Sequence, residues 1–280
     1  MDIFDECKLY PNEEDFILSH YKGFYESVFV AFLPFFRIKN QTSEKISVQK
    51  SHQISYEEFI AENELFANIQ KFDAEIYSNK NTNYPTDKSI FEQGEIVNWQ
   101  EIKDKTDFKN FAELNKALKT SIGSYRQVFR RPDLLEKLNS MAEREQIFHP
   151  TEGTFTPLAK VQIYNSLKHL GKNEIIVIDE YLETTKELNL NSINVGEFVE
   201  KLELKDYYVY PKDKSILYTI EWDSFFYLVC SNQVILDEIL KVVNFEGFFC
   251  TDETKHGWDW TTEEITALFK LEKMLENDET

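Results

Sequence analysis

Between residues 221 and 260 the chain concentrates the side chains best able to do chemistry: Glu221, Asp223, Asp252, Glu253, His256 and Asp259, interleaved with Trp222, Trp258 and Trp260. An imidazole with two or more carboxylates near strand ends is a donor set for a divalent metal or a small ligand, which makes His256, Asp252, Asp223, Glu221 and Asp259 the candidate site. Their spacing matches neither HExxH nor a calcium loop, and a chain with 50 acids places several beside one histidine by composition alone. Cys250 and His256, six positions apart, are a nucleophile and a base by type. The FEGFFC context instead assigns the thiol to an apolar strand. Residues 175–180 (IIVIDE) look like the acidic strand end that holds magnesium beside a nucleotide, but no GxxxxGK[ST] phosphate loop accompanies them. No GxSxG or GxGxxG motif occurs. The sequence therefore assigns no catalytic residue and no cofactor, and a divalent metal at the His256 cluster is the sole exception entertained.

The elements that must position these residues can be read from periodicity and caps. Ser55-Tyr56-Glu57-Glu58 matches a capping box, followed by Phe59, Ile60, Phe66 and Ile69 on a helical face. Residues 77–93 turn polar and read as a loop. Asp107 is placed to cap a helix carrying Phe108, Phe111, Leu114 and Leu118, and Pro132 opens another with Leu134, Leu135, Leu138 and Met141 on one face. The segment 149–154 (HPTEGT) is the best break in the chain, dividing a helix-rich part, 1–150, from an α/β part, 151–280, unless the two are continuous. Beyond it, residues 157–170 predict a helix closed by Gly171, 174–179 a buried strand, 192–202 a helix, and 207–210 a strand ended by Pro211. Strands at 215–218, 225–230 and 245–250, a helix at 234–243 and a terminal helix at 262–275 complete the reading. The implied class is α+β, mixed layers with a small sheet, the helix-rich N-terminal half packed on a C-terminal half that contains the sheet.

Composition limits what such a fold does. Fifty acidic against 31 basic residues give a formal charge of −19, a field that repels phosphate backbones and anionic lipid, so nucleic acid and membrane are excluded as partners and a basic protein fits. The most apolar run, residues 28–36, contains Pro34 and is far short of a bilayer span. Three cysteines without a CxxC pair and an acidic N-terminus point to the cytoplasm. Arg126, Arg130 and Arg131 form a small basic patch that helix-end or surface pairing explains.

The run from 222 to 258 resembles the bacterial domain-of-unknown-function family 2711, through Asp223-Ser224-Phe225-Phe226, Phe245-Glu246-Gly247-Phe248-Phe249-Cys250, and Thr254 through His256 to Trp258. The resemblance implies a cytosolic bacterial protein and carries no functional residues with it.

The leading functional expectation is a non-catalytic, protein-interacting role, most concretely an immunity-like or regulatory protein that masks a basic partner. Its motivation is the −19 charge together with Trp99, Trp258 and Trp260 read as exposed aromatic anchors among acids. The alternative is a metal-dependent or small-molecule enzyme, which requires a concave pocket where His256 meets at least two of Glu221, Asp223, Asp252 and Asp259. A ligand-binding domain with an aromatic-lined pocket is a third expectation.

Overall fold

The apolar run at residues 28–36 folds as two strands because Pro34 cannot continue a ladder: β1 (Ser27–Phe32) ends before it and β2 (Phe35–Ile38) starts after it. The computed structural model describes residue 4 and residues 9–39, 52–55, 76–78, 84–123 and 125–278. A single helical turn, α1 (Ile17–His20), precedes β1. After β2 come β3 (His52–Ile54), β4 (Ile76–Ser78), α2 (Asp87–Gln93), β5 (Gly94–Val97), α3 (Trp99–Thr106), α4 (Phe111–Thr120) and α5 (Pro132–Glu145). The second half runs α6 (Pro157–His169), β6 (Glu174–Asp179), β7 (Thr185–Asn189), α7 (Val195–Lys201), β8 (Asp206–Pro211), β9 (Leu217–Ile220), β10 (Phe226–Ser231), α8 (Gln233–Val242), β11 (Gly247–Phe249) and α9 (Thr262–Asp278).

The main sheet is seven-stranded and antiparallel, in the order β11-β1-β10-β9-β8-β6-β7. Two-stranded sheets pair β2 with β5 and β3 with β4. The expected α+β architecture is thus present. Strand β1, from the first 150 residues, lies between β10 and β11 of the later ones.

Directly opposed residues of an antiparallel pair share a face. Ala31, Tyr227 and Ile220 therefore face one way, as do Phe29, Val229, Tyr218 and Val209. Helix α6 and its flanks cover this side: the Tyr218 hydroxyl meets Ser166 Oγ at 2.6 Å, and the Phe155 ring packs edge-on against Tyr227. The opposite face carries Val28, Val30 and Phe32 beside Cys230, Leu228 and Phe226. It is covered by aromatic side chains from elsewhere in the chain, Trp99 stacked on Phe32 at 4.2 Å and Trp258 edge-on to Phe226 at 5.9 Å.

Local signals account for most boundaries. Pro132 and Pro157 open α5 and α6, Leu134, Leu138 and Met141 bury the expected face, and Gly171 at φ 68 closes α6. Asn194 and Glu197 form a capping box on α7. Three expectations are corrected. Asp107 does not cap α4; it sits at φ 55 as the left-handed end of α3, and Asn110 caps α4 by accepting from Glu113 N. The polar stretch 77–93 is not all loop, since Thr86 caps the helix α2, whose one buried residue, Ile90, is too little for an apolar face to show. Strand β9 starts two residues later than expected because Lys214 N turns back to Pro211 O and Ser215 N binds Asp213. Strand β6 buries only alternate residues, as a strand with one face half-covered does. The helix expected from the Ser55–Glu58 capping box lies outside the described residues.

Candidate functional site

A cleft of about 1520 Å³ opens where α4, the turn between β9 and β10, the 251–260 segment and α9 meet. Its mouth is made by the turn at residues 221–224, closed by a hydrogen bond from Ser224 N to Glu221 O of 3.3 Å. Asp223 takes the left-handed conformation at φ 58, which short polar side chains tolerate. Gly153 backs the turn from the 149–154 segment and donates its N–H to Ser224 O at 2.9 Å. At φ 62, with a Cβ position 3.2 Å from Asp223 N, only glycine fits there without displacement. Trp222, at the turn's apex, is 58% exposed.

Burial raises the pKa of Glu221 to about 7; the carboxylates of Glu13, Glu180 and Asp223 push the same way, against a hydrogen bond from Trp222 N. Burial also raises Asp223, with Lys119 opposing, and raises Glu152, where Asp223 adds repulsion. Among the described residues none of Glu152, Glu221 and Asp223 forms an ion pair. The cations lining the cleft are, by contrast, already matched: Lys119 with Asp259 at 2.9 Å, Arg126 with both oxygens of Glu272 at 2.7 and 2.8 Å, and Lys255 with Glu14 at 3.6 Å. Lys119, Arg126 and Lys255 are thus occupied by other acids, and among the described residues none of them pairs with Glu221 or Asp223.

The floor is aromatic. Trp258 packs edge-on to Phe248 at 5.0 Å, and Trp260 lies 5.6 Å from Phe129 with the Lys116 ammonium 3.9 Å above its ring. Trp260 Nε1 donates to the Tyr125 hydroxyl at 3.3 Å, and Phe269 of α9 closes on Phe129. His256 is buried in this wall, its Nδ1 2.9 Å from the Tyr10 hydroxyl and its Nε2 3.4 Å from Ser224 Oγ. Burial, helped by Lys119, lowers its pKa to about 3, so the imidazole is neutral.

Of the five candidate residues, Glu221, Asp223 and His256 line the cleft. Asp259 is buried as the counter-ion of Lys119, and Asp252 is exposed. Among the described residues no group of three His, Cys, Asp or Glu side chains is placed to hold a metal. The His256 nitrogens address hydroxyls, and burial raises the Cys250 thiol to about 12, the behaviour of a core cysteine. Asp179 accepts from Glu183 N within a turn. Of the aromatic anchors, Trp258 and Trp260 line the cleft. Trp99 is corrected: it is fully buried, with Nε1 donating to Leu33 O at 2.8 Å. The arginine patch is used as expected for surface pairing, Arg126 with Glu272 and Arg131 with Asp133. Sequence reasoning missed Tyr10, Glu13, Glu152 and Lys119. The buried lysines of α4 had one visible signal, two lysines three apart on a helix whose leucines face the core.

The sequence matches, over residues 13–260, the family described as "Protein of unknown function (DUF2711)". The chain belongs to that family. The match extends far beyond the 222–258 run that carried the resemblance, and it takes in both halves of the sheet. The DUF2711 region includes Glu13, Gly153, the 221–224 turn and the residues around His256, whereas α9 lies outside it. A relative, the uncharacterized protein YwbB of Bacillus subtilis (strain 168), is 25% identical over 179 residues, covering 62% of this chain and 77% of that protein. No solved structure matches. No described helix is long and apolar enough to cross a membrane.

Proposed function

We propose that this DUF2711 chain is a non-catalytic, cytoplasmic binding protein of immunity-like or regulatory type, whose cleft receives a basic segment of a partner protein. One observation carries the reading: Trp222, 58% exposed, lines the cleft in the turn that carries Glu221 and Asp223, two carboxylates that no cation among the described residues pairs. Exposed aromatic anchors and uncompensated charge are what a steered, specific interface uses. The overall charge of −19 favours a basic partner and repels nucleic acid and anionic lipid. Free thiols at Cys230 and Cys250 suit a reducing compartment.

Calorimetric titration with a lysine- and arginine-rich peptide tests it. Binding should weaken as salt is raised and should be lost in Glu221→Gln/Asp223→Asn. Binding that the double variant retains removes the turn from the account.

A second reading, a small-molecule or metal-dependent enzyme, draws on the presence of Glu221, Asp223 and His256 in one cleft, with Glu221 able to exchange a proton near neutrality. Titration of metal-stripped protein with zinc, manganese and magnesium separates the two. Tight binding lost in His256→Ala supports the enzyme, and its absence leaves the interface reading ahead.

A further inference from the structure

The cleft repeats one arrangement, a cation over an aromatic ring with a carboxylate beside it. Lys116 lies 3.9 Å from the Trp260 centroid and 2.8 Å from Glu264. Arg126 lies 5.4 Å from the Phe269 centroid and 5.7 Å from Phe129 while both its bonds go to Glu272. Lys255 lies 5.0 Å from the Phe16 centroid and 3.6 Å from Glu14. In each set the ring's negative face and the acid share the work of holding a cation. Trp222, exposed and adjacent in the same turn to Glu221 and Asp223, also lines the cleft, and among the described residues no cation lies over its ring or pairs with either acid.

We infer that the segment received by the cleft presents an arginine, whose guanidinium seats on the Trp222 indole between the Glu221 and Asp223 carboxylates, while its apolar neighbours enter the aromatic floor at Trp258, Trp260 and Phe269. The inference rests on the basic-segment reading above and narrows it to one side chain. The chain's own usage separates arginine from lysine. A single carboxylate oxygen is met by a lysine at Glu264 and Glu14, whereas both oxygens of Asp133 are met by Nε and Nη2 of Arg131, and both oxygens of Glu272 by Nη2 of Arg126. Two carboxylates carried on either side of Trp222 in one turn ask for more donors in a plane than an ammonium offers, and the guanidinium fork has them. Glu221 and Asp223 are half-buried, a setting that favours the more weakly hydrated guanidinium over a strongly hydrated ammonium. The apolar floor beneath the mouth has the same logic, since a purely charged segment would leave it uncovered.

The test uses the full chain and two short synthetic peptides, one alternating arginine with leucine and the other with lysine in place of every arginine. The arginine peptide should bind about tenfold more tightly, the scale of a cation–π contact with a bidentate pair, and the difference should collapse in Trp222→Ala. Equal affinity of both peptides for the unaltered chain overturns the arginine inference and leaves the basic-segment reading standing. Binding of neither peptide overturns both. A preference for arginine that survives Trp222→Ala overturns the placement on the indole. Trp222 is exposed, so its replacement leaves the core intact.

Discussion

Lys119→Met is the perturbation that most sharply tests how the cleft floor is held. The Lys119 and Asp259 side chains are 9% and 0% exposed, and they meet at 2.9 Å. Asp259 Oδ2 has no hydrogen-bond partner among the described residues, so Lys119 is the carboxylate's only described side-chain contact of opposite charge. Methionine keeps the apolar stem and removes the charge, leaving a buried carboxylate uncompensated. Breaking one side of a buried pair costs about 3–5 kcal/mol, a large part of the ~5–15 kcal/mol that holds a typical domain together. Asp259→Leu alone strands the ammonium at comparable cost, and the double replacement should recover much of the loss because both desolvated charges are gone. Urea unfolding of the four proteins forms a double-mutant cycle, with a coupling energy of about 2 kcal/mol or more expected. Because Asp259 lies between Trp258 and Trp260, Lys119→Met should also weaken peptide binding. A loss below about 1 kcal/mol for Lys119→Met would show that the pair behaves as a solvated surface contact, and the account of the floor would be wrong.

Other consequences are equally concrete. Gly153→Ala should destabilise by about 1–2 kcal/mol, from a left-handed alanine and a Cβ pressed on Asp223 N, measured by urea midpoint; no loss would show that the turn relaxes freely. The Glu221 carboxyl, raised from its ordinary 4.5 to about 7, binds its proton more tightly in the folded chain, so the stability linked to it is complete below about pH 4.5 and is lost as pH rises through about 7. Glu221→Gln should flatten that slope in unfolding curves taken across the interval, and an unchanged slope would assign the proton elsewhere. Tyr10→Phe removes the hydroxyl bonded to His256 Nδ1 and should cost about 1–2 kcal/mol in thermal or urea unfolding, whereas a neutral effect would mean that water replaces it.

What the sequence revealed follows the range of the interactions involved. Helix α5 was legible because Pro132, Leu134, Leu138 and Met141 state its start and its buried face within three turns. Strand β10 and helix α6 were legible for similar local reasons, an apolar run and a Pro–Gly frame. The start of α4 was misplaced because Asp107 and Asn110 are both good caps, and only the backbone shows that Asp107 ends the preceding helix. Trp99 looked exposed beside polar neighbours, yet it stacks on Phe32, which sequence proximity gives no hint of. The site was half legible. Its acids and tryptophans stand together at 221–223 and 256–260, but the groups that set their chemistry come from afar. Lys119 and Lys116 meet Asp259 and Glu264 across 140 and 148 positions, and Tyr10 meets His256 across 246. Pairings at that separation leave no periodicity to read.

The central claim is that a basic segment is received at the turn carrying Trp222, and amide hydrogen exchange with and without the arginine–leucine peptide tests it most directly. The account predicts slowed exchange at Gly153, at residues 221–224 and along 252–258, with the sheet strands unchanged. Slowing confined to other surfaces, or none while the peptide is bound, would contradict it.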